Sequence, residues 1–206
     1  MMFEIFQRNF AKDIALSVQG GGATPLASVP GWSNLIDHFG GSSFDQGLYR
    51  VIRASDVDEW NARIAIAFPD FNGRVSCFGF DWLGRVLALD SKRVENGQPG
   101  VVMFELGTGE ALEVPCDVVS FHEEELIEYK DAALASDFHR RWLSAGGAAP
   151  KYDQCIGYKK PLFLGGPDEL GNLELSDIDV YWHLMGQLVA KAKGLPPGSP
   201  VSVRLA

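Results

Sequence analysis

The sequence has few cysteines and no long hydrophobic run. Its three cysteines, Cys77, Cys116 and Cys155, are an odd number without short spacings, which argues against a disulfide framework and a thiolate zinc site. No stretch reaches the roughly eighteen apolar residues that a membrane-spanning helix needs. Glu4 and Arg8 interrupt the apolar residues of the first segment, so it lacks the apolar core of a signal peptide. We therefore expect a cytoplasmic protein with reduced thiols and no membrane partner.

Positive charge is also scarce. The chain has 18 Lys+Arg and 27 Asp+Glu, a formal net charge of −9. Residues 1–100 contain nine basic and eleven acidic residues (net −2), and the remaining residues contain nine and sixteen (net −7). Phosphate contacts supply most of the affinity for nucleic acid, so we expect no nucleic-acid partner. The acidic second half instead favours a basic partner.

Motifs for phosphate or metal chemistry are incomplete. A phosphate-binding P-loop needs Lys-Ser/Thr after its second glycine, but Asn172 and Leu173 follow Gly171 in GGPDELGN. HEEE at 122–125 begins like a zinc-protease motif, which would require histidine where Leu126 stands. No serine or cysteine nucleophile is placed beside any of the four histidines. We accordingly predict no catalytic residue, no metal ligand and no cofactor.

Apolar periodicity predicts five helices. With 46% apolar and 22% charged residues, the 206-residue chain has the composition of a folded protein of one large domain or two small ones. The expected helices run from Phe3 through Ile14, from Trp32 to Phe39, from about Asp56 to Ala67, from Ser120 to Leu143, and from about Ile178 to Ala192. The first should stop at Gly20–Gly22. The last three should begin with a Ser55 cap, a Ser120/Glu123 capping box and a Ser176 cap.

Apolar runs on either side of glycine turns predict β-hairpins. RVSCFGFDWLGRVLALD should turn through Gly84, and VVMFELGTGEALEV through Gly107-Thr108-Gly109, giving a four-stranded antiparallel core. GLYRVI, QCIGY and NLEL are further candidate strands, and GGAAP at 146–150 is a linker. The predicted fold class is α+β, with antiparallel hairpins flanked by helices in two closely packed subdomains.

Several of these segments resemble a known family. GRVSCFGFDWLGRVLALD, ELGTGEALEVP, FHEEEL and especially CIGYKKPLFLGGPDELGNLELSDIDVYWHLMGQL resemble the Tdi family of immunity proteins that accompany type VI secretion DNase toxins. Residues 1–98 are similar to that family's GAD-like domain, and residues 99–206 to its C-terminal immunity domain. The resemblance implies a non-enzymatic, cytoplasmic inhibitor that binds a cognate toxin, a DNase in the best studied members.

The acidic residues of the second half are the candidate contacts for such a toxin. We expect Gly165, Gly166 and Gly171 to form tight turns that display nearby acids, since glycine adopts such turns easily. These acids are candidate contacts because a nuclease should present a basic surface. Trp82, in the first hairpin turn, is either an exposed interface anchor or folded back onto a helix. The predicted partner-binding residues are Glu123, Glu124, Glu125, Asp168, Glu169, Glu174, Asp177, Asp179 and Trp82.

Two other functional classes remain open from the residues alone. A regulatory or scaffolding module that binds an endogenous protein would show the same acidic surface and the same lack of motifs. An enzyme whose site is assembled from residues far apart in the sequence would also escape a motif search.

Overall fold

A six-stranded antiparallel sheet lies at the centre of the protein. The computed structural model describes residues 2–18 and 28–193. The strands, in chain order and in sheet order alike, are β1 (Ser43–Phe44), β2 (Tyr49–Val51), β3 (Val75–Asp81), β4 (Val86–Glu95), β5 (Gln98–Glu105) and β6 (Glu110–Val114). Every neighbouring pair is antiparallel, so the sheet is a meander.

Both predicted hairpins are confirmed, as β3–β4 and β5–β6. Gly84 (φ 76°) and Gly109 (φ 74°) adopt the left-handed backbone conformation at the two turns, which glycine tolerates because it has no Cβ. The predicted four-stranded core is incomplete, since β1 and β2 extend the sheet beside β3. The pairing of β2 with β3 places Tyr49 opposite Asp81, and apolar periodicity in the sequence does not reveal contacts between such distant residues.

The second and third helices agree with their predicted positions. They are α2 (Trp32–Phe39) and α3 (Val57–Ala67), which follow α1 (Glu4–Asn9). The predicted Ser55 cap of α3 is wrong: the Ser55 hydroxyl donates to the neighbouring Asp56 carboxylate, and the α3 N-cap makes no side-chain hydrogen bond. A 3-10 turn at Ala54–Asp56 leads into the helix instead.

The first helix is shorter than predicted. Phe3, Phe6 and Phe10 are buried as expected, but Lys12 forms a β-bridge with Phe44 and Ile14 is 91% exposed. The prediction of a helix through Ile14 is therefore wrong, because the chain turns to meet β1. Its predicted stop, Gly20–Gly22, lies outside the described residues.

The long helix predicted from Ser120 to Leu143 is broken into pieces. These are α4 (Val118–Ser120), a π-helical turn (Phe121–Glu125), α5 (Leu126–Glu128), α6 (Lys130–Leu134) and α7 (Ser136–Ser144). Ala135 interrupts the path with a left-handed conformation, φ 50°. The predicted Ser120/Glu123 box is also displaced: the Asp117 carboxylate accepts the Val119 and Ser120 N–H groups, and Ser120 Oγ accepts the Asp117 N–H.

A second, two-stranded sheet and the last helix complete the fold. The elements are β7 (Gln154–Tyr158), β8 (Leu173–Asp177) and α8 (Ile178–Ala192), so the QCIGY and NLEL strands and the last helix are confirmed. The cap of α8 is Asp177, one residue after the predicted Ser176: its carboxylate accepts the Asp179 and Val180 N–H groups at 3.0 Å each.

Side chains from β2 and α8 connect the two sheets. The fully buried guanidinium of Arg50 donates to the carbonyl oxygens of Lys151 (2.8 Å), Gln154 (2.5 Å) and Asp81. The Trp182 indole N–H donates to the Gly84 carbonyl across the same junction. These bonds fix the β7–β8 unit against the turn of the β3–β4 hairpin.

The predicted α+β fold class is confirmed, with antiparallel hairpins flanked by helices. The predicted domain boundary between residues 98 and 99 lies at the start of β5, and β5 pairs with β4 along its length. Both predicted domains therefore contribute strands to one sheet.

Candidate functional site

One of the predicted contact residues, Asp179, lines a small cleft between the amino-terminal ends of α3 and α8. This α3–α8 cleft has a volume of about 100 Å³. Its lining consists of Arg53, Asp56, Glu59, Trp60, Arg63, Phe80, Tyr152, Asp153, Ile178 and Asp179. The aromatic floor is rigid, because Trp60 stacks on Phe80 at 5.3 Å and Tyr152 meets Phe80 edge-on at 5.4 Å.

Negative charge exceeds positive charge around the α3–α8 cleft. Arg63 bonds both Glu59 (2.6 Å) and Asp179 (2.9 Å), and Arg53 pairs with Asp56 at 2.7 Å. The four lining carboxylates outnumber the two arginines. Burial raises the pKa of Asp179, and the charges of Asp177, Glu59 and Asp56 raise it further, against the opposing effect of Arg63. The cleft therefore has a negative potential that attracts a cationic group.

The loop before β8 and the start of the strand itself display three more of the predicted acids. Asp168, Glu169 and Glu174 are exposed, and Asp168 accepts the Tyr158 hydroxyl at 2.7 Å. Inside the loop, the Asn172 amide donates to the carbonyls of Lys160 and Pro167. The loop is thus held in one shape and presents its acids to solvent.

Two glycines of that loop are required by the backbone, one for its conformation and one for a close contact. Gly165 has φ 77°, and a Cβ on Gly166 would lie 1.9 Å from the Lys160 carbonyl oxygen. No other residue fits at Gly166 without moving the backbone. The expectation that these two glycines allow a tight turn is confirmed.

The predicted acids at 123–125 have different roles. Glu123 accepts the backbone N–H of Ile5 at 2.9 Å, and its other carboxylate oxygen is buried without a partner among the described residues. Glu124 is exposed. Burial raises the pKa of the half-buried Glu125, and the charge of Glu128 adds to this effect. Glu124 is therefore the residue of the three best placed to meet a partner, while Glu123 fixes α1.

Of the two arrangements predicted for Trp82, the structure has the buried one. Its side chain is 0% exposed, its indole N–H donates to the Leu134 carbonyl at 3.0 Å, and its ring packs against Phe138 and His139. Trp82 is therefore wrongly placed among the contact residues, because no part of it reaches the surface.

The predicted residues form separate groups on the molecule, and sequence reasoning missed their neighbours. Asp56, Glu59 and Asp153 join Asp179 only because α3, β7 and α8 meet at one end. No sequence spacing connects these elements, so no signal in the sequence could have found the cleft. In contrast, the Asp177–Asp179 pair was visible as acids at a helix start.

The part of the chain that the structure describes has neither a metal-binding cluster nor a membrane-spanning helix. Within residues 2–18 and 28–193, no group of three or more His, Cys, Asp or Glu side chains could hold a metal ion. None of the helices there is long and apolar enough to cross a membrane. His122 is a structural residue: Nδ1–H donates to the Val118 carbonyl at 2.7 Å, and Nε2 accepts the Tyr49 hydroxyl at 2.9 Å.

The fold and surfaces define the class: an α+β protein with a meander sheet and exposed acidic clusters. Residues 123–189 match the family model "T6SS immunity protein Tdi1, C-terminal". The match spans 67 of the 206 residues and contains every predicted contact residue except Trp82. The resemblance predicted from the sequence is confirmed for these residues, which are similar to the C-terminal domain of the Tdi1 immunity proteins.

One solved structure shows that the likeness in fold extends further. The crystal structure of Atu4351 from Agrobacterium tumefaciens aligns with a TM-score of 0.60, covering 90% of this chain and 89% of that chain at 16% sequence identity. At this identity the alignment establishes a shared fold. No curated protein matches the chain.

Proposed function

We propose that this protein is a cytoplasmic immunity protein that neutralises a cognate type VI toxin, a nuclease, by one-to-one binding that covers the toxin's substrate-binding surface. The observation that carries the proposal is the match of residues 123–189 to the Tdi1 C-terminal immunity domain. An immunity protein of this kind acts by binding and catalyses no reaction of its own.

The charge distribution supports a basic toxin. A nuclease binds the phosphate backbone through lysine and arginine, and the second half of this chain has a net charge of −7 (nine basic against sixteen acidic residues). Opposite charges on two surfaces accelerate their encounter and fix their orientation. The exposed acids Glu124, Glu169 and Glu174 and the α3–α8 cleft are the proposed contacts.

Co-purification with the product of the adjacent upstream gene tests this proposal. The two proteins should elute as a one-to-one complex. The toxin alone should degrade plasmid DNA, and the addition of one equivalent of this protein should abolish that degradation.

Two results would contradict the proposal. No complex with that product or with any neighbouring gene product would favour the regulatory or scaffolding module, in which the partner is an endogenous protein. A complex whose toxin degrades no nucleic acid but loses another activity on binding would retain immunity and exclude the nuclease.

A further inference from the structure

The outer strand of the small sheet, β8, has one edge without a partner strand. Its neighbour β7 is covered on both sides, by β8 and by the hairpin turn whose Trp82 carbonyl accepts the Ile156 N–H at 2.7 Å. In the part of the chain that the structure describes, no strand or bridge pairs with the other side of β8. An unpaired strand edge can pair with a segment of another chain. We call this side of β8 the β8 edge.

The other outer strands of the protein are less suitable for such pairing. The edge of β1 is covered, because the Asp13 N–H donates to the Ser43 carbonyl at 2.8 Å and the Ser43 N–H donates to Ser17 Oγ at 2.9 Å. β6 is also an outer strand, but it lies outside residues 123–189, which are similar to an immunity domain. The β8 edge lies within those residues.

The register of β7 and β8 shows which backbone groups point to the β8 edge. Opposite residues of an antiparallel pair alternate between those that exchange two hydrogen bonds and those that exchange none. Two bonds just beyond the strand ends continue the same register: the Lys159 N–H donates to the Asn172 carbonyl at 2.8 Å, and the Ile178 N–H donates to the Asp153 carbonyl at 3.0 Å. The bonded pairs within the strands are therefore Gly157–Glu174 and Cys155–Ser176.

Leu175 lies at the centre of the β8 edge. It is opposite Ile156 in a pair that exchanges no hydrogen bond, so both its N–H and its carbonyl point away from β7. The Leu173 carbonyl and the Asp177 N–H point the same way, because they are two residues from Leu175. None of these four backbone groups has a hydrogen-bond partner among residues 2–18 and 28–193. The Leu175 residue is 41% exposed, so its edge is accessible to solvent.

The side chains of β8 favour a basic segment as the partner of this edge. The strand, LELSD, has two acidic residues and no basic residue. Glu174 and Asp177 are exposed, and neither forms an ion pair within the described ranges. Lys159 and Lys160 lie beyond the end of β7, outside the paired strands. Opposite charges on neighbouring strands stabilise their pairing, whereas like charges weaken it.

We propose that the toxin adds an extended segment to the β8 edge, which pairs with both backbone groups of Leu175 and places basic side chains beside Glu174 and Asp177. Such strand addition derives affinity from main-chain hydrogen bonds and specificity from the side chains. A second copy of this chain is a poorer partner, because pairing two β8 edges would bring four carboxylates together. This inference rests on the proposed function, since the toxin supplies the basic segment.

Amide hydrogen exchange, followed by NMR for single residues, tests the pairing in the wild-type protein. In the free protein the Leu175 N–H should exchange much faster than those of Glu174 and Ser176, which belong to pairs bonded to β7. In the complex with the co-purified toxin, exchange at Leu175 and Asp177 should slow by roughly tenfold or more. Glu174 and Ser176 are internal controls and should change little.

Two results of this measurement would overturn the proposal. Slow exchange of Leu175 in the free protein would show that this chain or a second copy of it already covers the edge, and dependence on protein concentration would identify the second copy. Exchange of Leu175 in the complex that is as fast as in the free protein would show that the toxin adds no strand there.

A proline variant tests the same backbone donor by affinity. Leu175→Pro removes the N–H but leaves the bonds to β7 intact, since an edge strand tolerates proline where its N–H points to solvent. Leu175→Ala is the matched control, because it shortens the side chain and keeps the N–H. Leu175→Pro should bind the toxin about tenfold more weakly than Leu175→Ala, because a toxin carbonyl loses its donor. Equal affinity of the two folded variants would contradict the proposal.

The outcomes separate this inference from the proposed function. Urea unfolding checks that both variants are folded, and if Leu175→Pro does not fold, the exchange measurement on the wild type decides. If the wild-type complex forms and the toxin is inhibited while Leu175 stays unprotected, strand addition is overturned and immunity stands. If no wild-type complex forms, the proposed function is overturned and this inference with it.

Discussion

At the scale of single residues, Arg50 joins parts of the chain that are about a hundred positions apart. Its guanidinium donates to three carbonyl oxygens, one of them in a buried bond and two in part-buried bonds, and burial lowers its pKa to about 10, so it remains charged at pH 7. Arg50→Leu leaves these carbonyls without a donor, and each unsatisfied group costs about 1–3 kcal/mol. We expect the free energy of unfolding to fall by about 3 kcal/mol or more, measured by urea denaturation with tryptophan fluorescence.

The matched control for this change is Arg8→Leu, at an arginine whose side chain is 76% exposed. Exposed ion pairs contribute little, so its effect should stay within about 0.5 kcal/mol. Arg50→Lys keeps the charge but loses the planar donor fork, and it should lie between the two. An Arg50→Leu protein with a wild-type urea midpoint would show that the three bonds do not stabilise the junction.

Residue roles were predictable only where they depend on local sequence. The burial of Trp32, Leu35 and Phe39 followed from their helical spacing, and Gly84 from its place between two apolar runs. Trp82 had two possible roles in the sequence, because its burial depends on the distant Leu134 carbonyl. Long-range contacts of this kind leave no periodic signal.

At the scale of whole elements, the stability of α8 depends on the residue that caps its amino-terminal end. Asp177 accepts two N–H groups of the first turn, whereas Ser176, the residue predicted from the sequence, makes neither bond. Loss of an N-cap side chain costs about 1 kcal/mol. Asp177→Ala should therefore lower the free energy of unfolding by about 1 kcal/mol in thermal or urea denaturation. Ser176→Ala is the neighbouring control, and an equal loss in both variants would contradict the assignment of the cap.

The helix predicted from Ser120 to Leu143 shows where local sequence signals are insufficient. The hairpins and the helices α2, α3 and α8 have strong periodicity between clear turn residues, so local signals determine their bounds. Residues 118–144 also have helical periodicity, but Tyr129 (φ −120°) and Ala135 (φ 50°) leave the helical conformation. Neither residue is a helix breaker by type, and the breaks coincide with tertiary packing of Leu134 and Trp82. Tertiary contacts have overridden local propensity here.

At the scale of the whole molecule, the acidic surface is assembled from two halves of the chain. The acids of the immunity-domain match were visible in the sequence as a charge excess, and most of them are exposed. Asp56 and Glu59 come from the first half and reach the same cleft as Asp179 only through the packing of α3 on α8. The excess of negative charge was therefore predictable from the sequence, whereas the positions of the acidic residues on the surface depend on the fold.

This arrangement predicts how the complex with a basic toxin depends on charge. Glu124, Glu169 and Glu174 are exposed and form no ion pair among the described residues, so their triple reversal to lysine should leave stability nearly unchanged. Association with the toxin should slow by on the order of tenfold at low salt, because surface charges act mainly on the encounter rate. Stopped-flow or biosensor measurement of the association rate at several ionic strengths checks this expectation.

The triple substitution of the same residues by glutamine is the graded control. It removes three negative charges without adding positive ones, so the decrease in association rate should be about half as large on a logarithmic scale. Both variants should converge toward the wild-type rate at high salt, where the Debye length falls to about 3 Å at 1 M. An association rate that is the same for all three proteins at low salt would show that the toxin meets another surface. The α3–α8 cleft would then be the remaining contact to test, because its lining includes none of these three residues.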